Sequence, residues 1–238
     1  MKKSGGLFGV TLILMAALVA CASQPSAVVV PTRVATNTPP KTSAATSIPP
    51  TSVSTSIPLA AKTEAPSVSA CDLEPVVVPT RPAETPGYTE LDPATGLHMT
   101  GTVQEIDLES YRLEVTGRVD HPLSLTYDDL RCLPKVETAA TLKCPGFFVD
   151  KATWAGTPIR EVLALAGVQE GATSLSLISA DGYLRKVPIS EELSETGFLA
   201  YEWEGEPLPI LHGFPVRVVL PEASGGSWVK WLVAIEVN

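Results

Sequence analysis

Residues 212–231, HGFPVRVVLPEASGGSWVKW, decide how this chain is read. Apolar residues alternate around Arg217 from Phe214 to Leu220, and a second apolar run, Trp228 to Val237, carries Lys230. This period of two predicts a strand on each side. Glu222 to Ser227 must turn between them, and Gly225 with Gly226 gives that turn backbone freedom and room for close approach of a ligand. His212, Arg217 and Lys230 set three cationic or protonatable groups around it. Arginine offers a fork of donors and lysine a point charge, a pair suited to phosphate oxygens. Taken alone, the spacing favours a plainer alternative, two solvated cations on a β-hairpin.

Moving outward, Val136 to Cys144 is expected to form a strand that delivers Cys144 to its end, where Pro145-Gly146 breaks pairing and turns the sulfur toward a pocket. A helix is expected after Thr157 as N-cap and Pro158 as first helical residue, stopping at Gly167, with Ile159, Val162, Leu163 and Ala166 on its buried face. Thr126 should cap a short helix that ends before Pro134, and Ser190 another. Strands are expected at Thr102–Ile106, Tyr111–Val115, Thr173–Ile178, Tyr183–Pro188 and Phe198–Trp203. Without a long βαβ alternation or an internal repeat, the pattern predicts an α+β domain of mixed, mainly antiparallel sheet with short helices.

Two stretches sharpen this. TLKCPGFFVDKATWAG (141–156), together with LAYEWEGEPLPILH (199–212) running into GFPVRVV, Pro221, the glycine turn and VKW, resembles the molybdopterin-binding domain of the sulfite oxidase family over Tyr111 to Val237. The resemblance implies that Cys144 is the molybdenum ligand and catalytic centre, since soft molybdenum prefers thiolate. It also implies that Asp181, His212, Arg217, Trp228, Val229 and Lys230 contact the molybdopterin. A small-molecule substrate, oxygen-atom transfer and an external electron-transfer partner follow from it, and a monomer is expected. Each residue has a plainer alternative. Cys144 could be a buried free thiol, His212 a turn residue and Asp181 the ordinary aspartate of an Ala-Asp-Gly turn, while Trp154, Trp203 and Trp231 are expected in the core.

The chain also departs from that family's pattern. The segment before Tyr111 lacks the aromatic-rich, asparagine-containing loop that covers the pterin in larger members, leaving one side of the pocket unassigned. With the final strand running to Val237, no C-terminal dimerisation domain is expected, and the leader begins Met-Lys-Lys-Ser rather than with twin arginines. These departures support a second hypothesis, a cofactor-free ligand-binding or adaptor lipoprotein that retains the fold.

The N-terminal third has a different character. Lys2 and Lys3 precede the apolar run Leu7–Ala20, and Leu18-Val19-Ala20-Cys21 resembles a bacterial lipoprotein signal. Residues 1–20 are then the signal peptide and Cys21 the lipidation site, facing outside the cytoplasm in the cell envelope. Each buried methylene of such an anchor contributes about 0.8 kcal/mol. Residues 21–90 are expected to be a disordered tether. Of the 22 prolines, 12 fall between Ala22 and Pro86, in a background of Thr, Ser, Ala and Val too poor in large apolar groups to bury a core. Residues 91–238 would be the folded domain. If Cys144 holds metal and Cys21 lipid, Cys71 and Cys132 remain as a candidate disulfide, or Cys71 is free in the tether. A net charge of −9 without a basic stripe argues against nucleic acid. Three histidines without HExxH, and the lack of CxxC pairs, GxSxG or GxGxxG, leave zinc hydrolysis, serine triads and dinucleotide binding without support.

Overall fold

The computed structural model describes Val68 and residues 71–238. The signal, Cys21 and the remaining first part of the tether lie outside the described residues. Ten strands and three short helices follow one another: β1 (Leu113–Gly117), β2 (Leu123–Leu125), α1 (Tyr127–Cys132), β3 (Val136–Cys144), β4 (Phe148–Pro158), α2 (Ile159–Ala166), β5 (Ser174–Ser179), β6 (Leu184–Pro188), α3 (Glu191–Thr196), β7 (Phe198–Trp203), β8 (Glu206–Pro207), β9 (Arg217–Val219) and β10 (Leu232–Val237). They build two sheets, ordered β2-β1-β10-β5-β6 and β3-β4-β7-β8, with β9 also on β7. Among the described residues, only β1 and β10 pair in parallel. This is the expected α+β architecture of mixed, mainly antiparallel sheets.

Local chemistry explains most element ends. Thr126 caps α1 through its hydroxyl, which accepts from the Asp129 N–H, while the Asp129 carboxylate accepts from the Thr126 N–H. Such a reciprocal box satisfies two otherwise orphaned donors. Ser190 caps α3 in the ordinary way, and Gly167 ends α2 in the left-handed region with φ 67°. Ile159, Val162, Leu163 and Ala166 are buried as their helical spacing requires. Gly156 is fixed by packing, because a Cβ there would lie 2.0 Å from the Leu199 carbonyl oxygen on β7. Gly156→Ala is therefore expected to destabilise the domain by about 3 kcal/mol, read from urea unfolding, as the β4–β7 pair is forced apart.

Four expectations need correction. Pro158, not Thr157, caps α2. Thr157 remains in β4 because its hydroxyl donates to the buried Leu130 carbonyl, a tertiary bond that outweighs capping. Thr102–Ile106 is irregular, its Thr102 N–H donating to Asp181 instead of to a strand. Two strands about 212–231 do form, but not as a hairpin: β9 joins β7, and β10, which begins only at Leu232, joins β1 and β5. Trp231 sits at φ 47°, which ends strand geometry ahead of β10. Finally, the tether does not run free to residue 90. Cys71 is disulfide-bonded to Cys132 at the end of α1, Arg131 donates to the Glu74 carbonyl, and Val76 packs on the core. Apart from these pins, the described residues 71–90 belong to no strand, so their composition signalled the absence of regular structure and not the absence of contact.

Candidate functional site

The β3–β4 hairpin sets one wall of the site. Directly opposed residues of an antiparallel pair share a face, and the register couples Leu142 with Asp150 and Cys144 with Phe148. Those four residues point to one side, while Lys143, Val149 and Lys151 point outward and are exposed. Leu142, Cys144 and Phe148 line a cavity of about 250 Å³ that opens to solvent. The turn that ends β3 needs Gly146 at φ 81°, and it leaves Cys144 a half-buried free thiol at the wall.

The opposite wall comes from residues 217–231. Gly225, Gly226, Trp228, Val229, Lys230 and Arg217 all line the same cavity. Because β9 and β10 belong to different sheets, the connection between them spans the two, and the cations are buried rather than solvated. Arg217 is 2% exposed and Lys230 9%. The Arg217 guanidinium lies 4.6 Å from the Trp154 ring centre and donates to the carbonyls of His212 and Trp228 at 3.1 and 3.5 Å, yet its Nε has no partner. Lys230 donates to the carbonyls of Thr100 and Leu211 at 2.7 and 3.0 Å. Neither cation forms an ion pair among the described residues. Burial pulls Arg217 down to about 9, partly opposed by Asp150, and lowers Lys230 well below the usual lysine range, with Arg217 adding repulsion. Two buried like charges without a carboxylate between them create a strong demand for an anion.

The side that the sequence left unassigned is closed by residues 87–102. Thr89 and Met99 pair through the Thr89 N–H, Met99 returns a bond to Glu90, and Leu91 bridges His98. Tyr88, Thr100 and Gly101 of this strap line the cavity, together with Ser179, Asp181, Tyr183 and Trp231. The pointer available in the sequence was Leu91-Asp-Pro-Ala-Thr-Gly-Leu97, a turn signal between two apolar residues. Asp181 does more than make its turn, since it accepts from the N–H groups of both Tyr183 and Thr102. Burial pushes its pKa up, but those bonds, Ser179 and Lys230 outweigh it, and the net direction is down.

Of the residues singled out from sequence, Cys144, Asp181, Arg217, Trp228, Val229 and Lys230 meet at this cavity, and Trp231, expected only in the core, joins its wall. The His212 ring does not line it. Its Nε2 lies 2.9 Å from both Asp92 and Thr95, so the side chain is consumed in fastening the strap, and only its carbonyl supports Arg217. Burial, with Lys230 adding repulsion, lowers the His212 pKa to about 3 although Asp92 opposes this. Asp92 is pushed up by burial but brought down on balance by hydrogen bonds from His212, Ala94 and Thr95. A neutral histidine therefore donates to an ionised aspartate. Since His212 titrates lower in the folded than in the unfolded chain, stability is full above about pH 6.5 and falls toward pH 3, by up to about 1.4 kcal/mol per unit. His212→Gln is expected to flatten that slope between pH 6.5 and 4.5 in urea titrations.

A free thiol at the end of β3, a buried arginine on β9 and a buried lysine on the connection to β10 meet at one cavity beside a glycine-containing turn, an arrangement suited to an anionic ligand. Residues 100–238, more than half of the chain, match the family described as oxidoreductase molybdopterin binding domain, and the chain belongs to that family. It is 34% identical over 131 residues to the uncharacterized oxidoreductase YuiH of Bacillus subtilis (strain 168), covering 55% of this chain and 66% of that one. It is 34% identical over 166 residues to the mitochondrial sulfite oxidase of Homo sapiens, covering 57% and 30%. The crystal structure of the sulfane dehydrogenase SoxCD from Paracoccus pantotrophus superposes with a TM-score of 0.55 at 29% identity, covering 57% of this chain and 40% of that one. The chain thus spans less than half of the latter two proteins and about two thirds of the first.

The residues present fit the family's cofactor. The orphaned Arg217 Nε and the Lys230 ammonium call for an anionic group such as a phosphate, Cys144 offers a soft ligand for molybdenum, and Gly226 adds no side chain at the wall, while Gly225 lets the turn pack on β3, where a Cβ would lie 2.8 Å from the Leu142 side chain. Residues 100–238 are a molybdopterin-binding domain of this family.

Proposed function

We propose that the domain catalyses oxygen-atom transfer on a small substrate, exchanging electrons with a separate redox protein, and that Cys21 anchors it to the envelope membrane through a tether ending near Cys71. The observation that carries the catalytic part is the convergence of the free Cys144 thiol with the unpaired Arg217 and Lys230 cations on one cavity. When bound, the cofactor supplies a metal able to exchange an oxygen atom and two electrons with substrate. Cys144 holds that metal as thiolate, while Arg217 and Lys230 neutralise the anionic end and fix its orientation. Asp181, ionised, pins the Thr102 backbone and so keeps Thr100 and Gly101 against the site. The strap and Trp231 help to bury the cations, and the lower polarity around buried charges strengthens their hold. The anchoring part is supported by the Leu7–Ala20 run ending at Cys21, and no helix among the described residues is long and apolar enough to cross a membrane.

The reading is tested with protein purified from cells that make the cofactor. Sulfite oxidation is followed with ferricyanide, and reduction of S-oxides and N-oxides with a reduced viologen dye. Turnover in either direction that disappears in Cys144→Ser supports the proposal. Folded, metal-loaded protein inert in both directions would overturn it.

A further inference from the structure

The strap carries three cavity-lining residues, yet its ends are held unequally. Its C-terminal side continues into Tyr111, whose hydroxyl donates to the buried Leu232 carbonyl, and then into β1. Its own fastenings are the bonds of Asp92 and Thr95 to His212 and of His98 to Asp150 at 2.6 and 2.9 Å, the Lys230 bond to Thr100, the Thr102 N–H bond to Asp181, buried Leu97, and Met99 packed with Leu211 and Trp231. Upstream, residues 71–86 make no strand pair and rest on the Arg131–Glu74 bond, the packing of Val76 and an exposed Arg81–Glu105 ion pair. The one covalent hold on that side is the bond between Cys71 and Cys132, which are separated by 61 residues, and the whole strap falls inside the loop it closes.

We propose that the Cys71–Cys132 disulfide is the latch of a cofactor-retaining strap. With the bond in place, residues 87–102 can leave the cavity only as a loop fixed at both ends. With it cut, they can peel away as part of a free N-terminal tail, which has many more open conformations. Peeling withdraws Tyr88, Thr100 and Gly101 from the wall and removes the Thr100 carbonyl from Lys230, opening the side of the cavity that no strand covers. The bond therefore governs how long a bound anionic cofactor stays. This rests on the reading of the cavity as the molybdopterin site.

Amide hydrogen exchange of the strap and loss of molybdenum during dialysis test it together. The samples are the oxidised holo-protein, the Cys71→Ser/Cys132→Ser variant, and wild type reduced after folding by a small dithiol. That dithiol gives two electrons and two protons to the two sulfurs and closes to its own disulfide. Cutting the bond is expected to speed exchange of residues 87–102 on the order of tenfold while β5 and β10 are unchanged, with metal loss faster by a similar factor. If the double variant does not fold, the reduced wild type decides. Unchanged strap exchange, or faster exchange with unchanged metal retention, would overturn the latch. Wild type without molybdenum is instead a failure of the site reading, and the exchange of residues 87–102 then decides the latch alone.

Discussion

Cys144→Ser is expected to lower turnover on the order of a thousandfold and to abolish the metal–thiolate absorption, with unfolding free energy within about 1 kcal/mol of wild type. Groups that only support a metal ligand typically contribute ten- to a hundredfold, and loss of the ligand itself should exceed that. A serine hydroxyl is a hard, protonated oxygen at neutral pH and a poor substitute for soft thiolate. The change in stability is small because the thiol is half-buried at a turn and packs at the edge of the core. Steady-state assays with the active substrate, paired with urea unfolding, separate the two effects. Turnover within tenfold of wild type would remove Cys144 from the centre of the site.

Arg217→Gln is expected to weaken cofactor retention by about 10²- to 10³-fold, or roughly 3–4 kcal/mol, the scale for losing one partner of a buried charge pair. Its effect on the free protein should be much smaller. In that state the guanidinium is buried against Trp154 with its Nε unpaired, and the variant removes an uncompensated charge while its amide can still donate toward the His212 carbonyl. The signature is therefore a difference: the rise in melting temperature that accompanies cofactor loading shrinks or vanishes, while the melting temperature of the free protein stays near wild type. Lys143→Gln, on the outward face of the same hairpin as Cys144, should change neither.

Much of this architecture could be seen in the chain because local signals and tertiary demands agree. Val136–Cys144 and Phe198–Trp203 have the predicted bounds, and Thr126, Ser190 and Gly167 sit at helix ends that their side chains or backbone favour. Period-two patterning says that a strand exists but not which strand it joins. For that reason β9 and β10 looked like a hairpin when they belong to separate sheets. The same gap misplaced the cations: alternation around Arg217 suggests solvent on one face, whereas a strand covered on both sides buries it.

The strap was illegible for a related reason. Residues 71–102 have little periodicity, and their position depends on long-range partners such as Cys132, Asp150 and His212 that are 52 to 120 residues away. His212 shows the limit most plainly. A histidine beside a cationic run suits an anion site, but the deciding fact is a buried carboxylate, Asp92, brought to its ring from the far end of the domain.

The most direct measurement is the molybdenum content of the purified full-length protein, determined by mass spectrometry after expression in cells able to make molybdopterin. About one molybdenum per folded chain is predicted, held through washing with chelator-free buffer and released on denaturation together with the pterin. Well-folded wild type containing neither metal nor pterin would contradict the account.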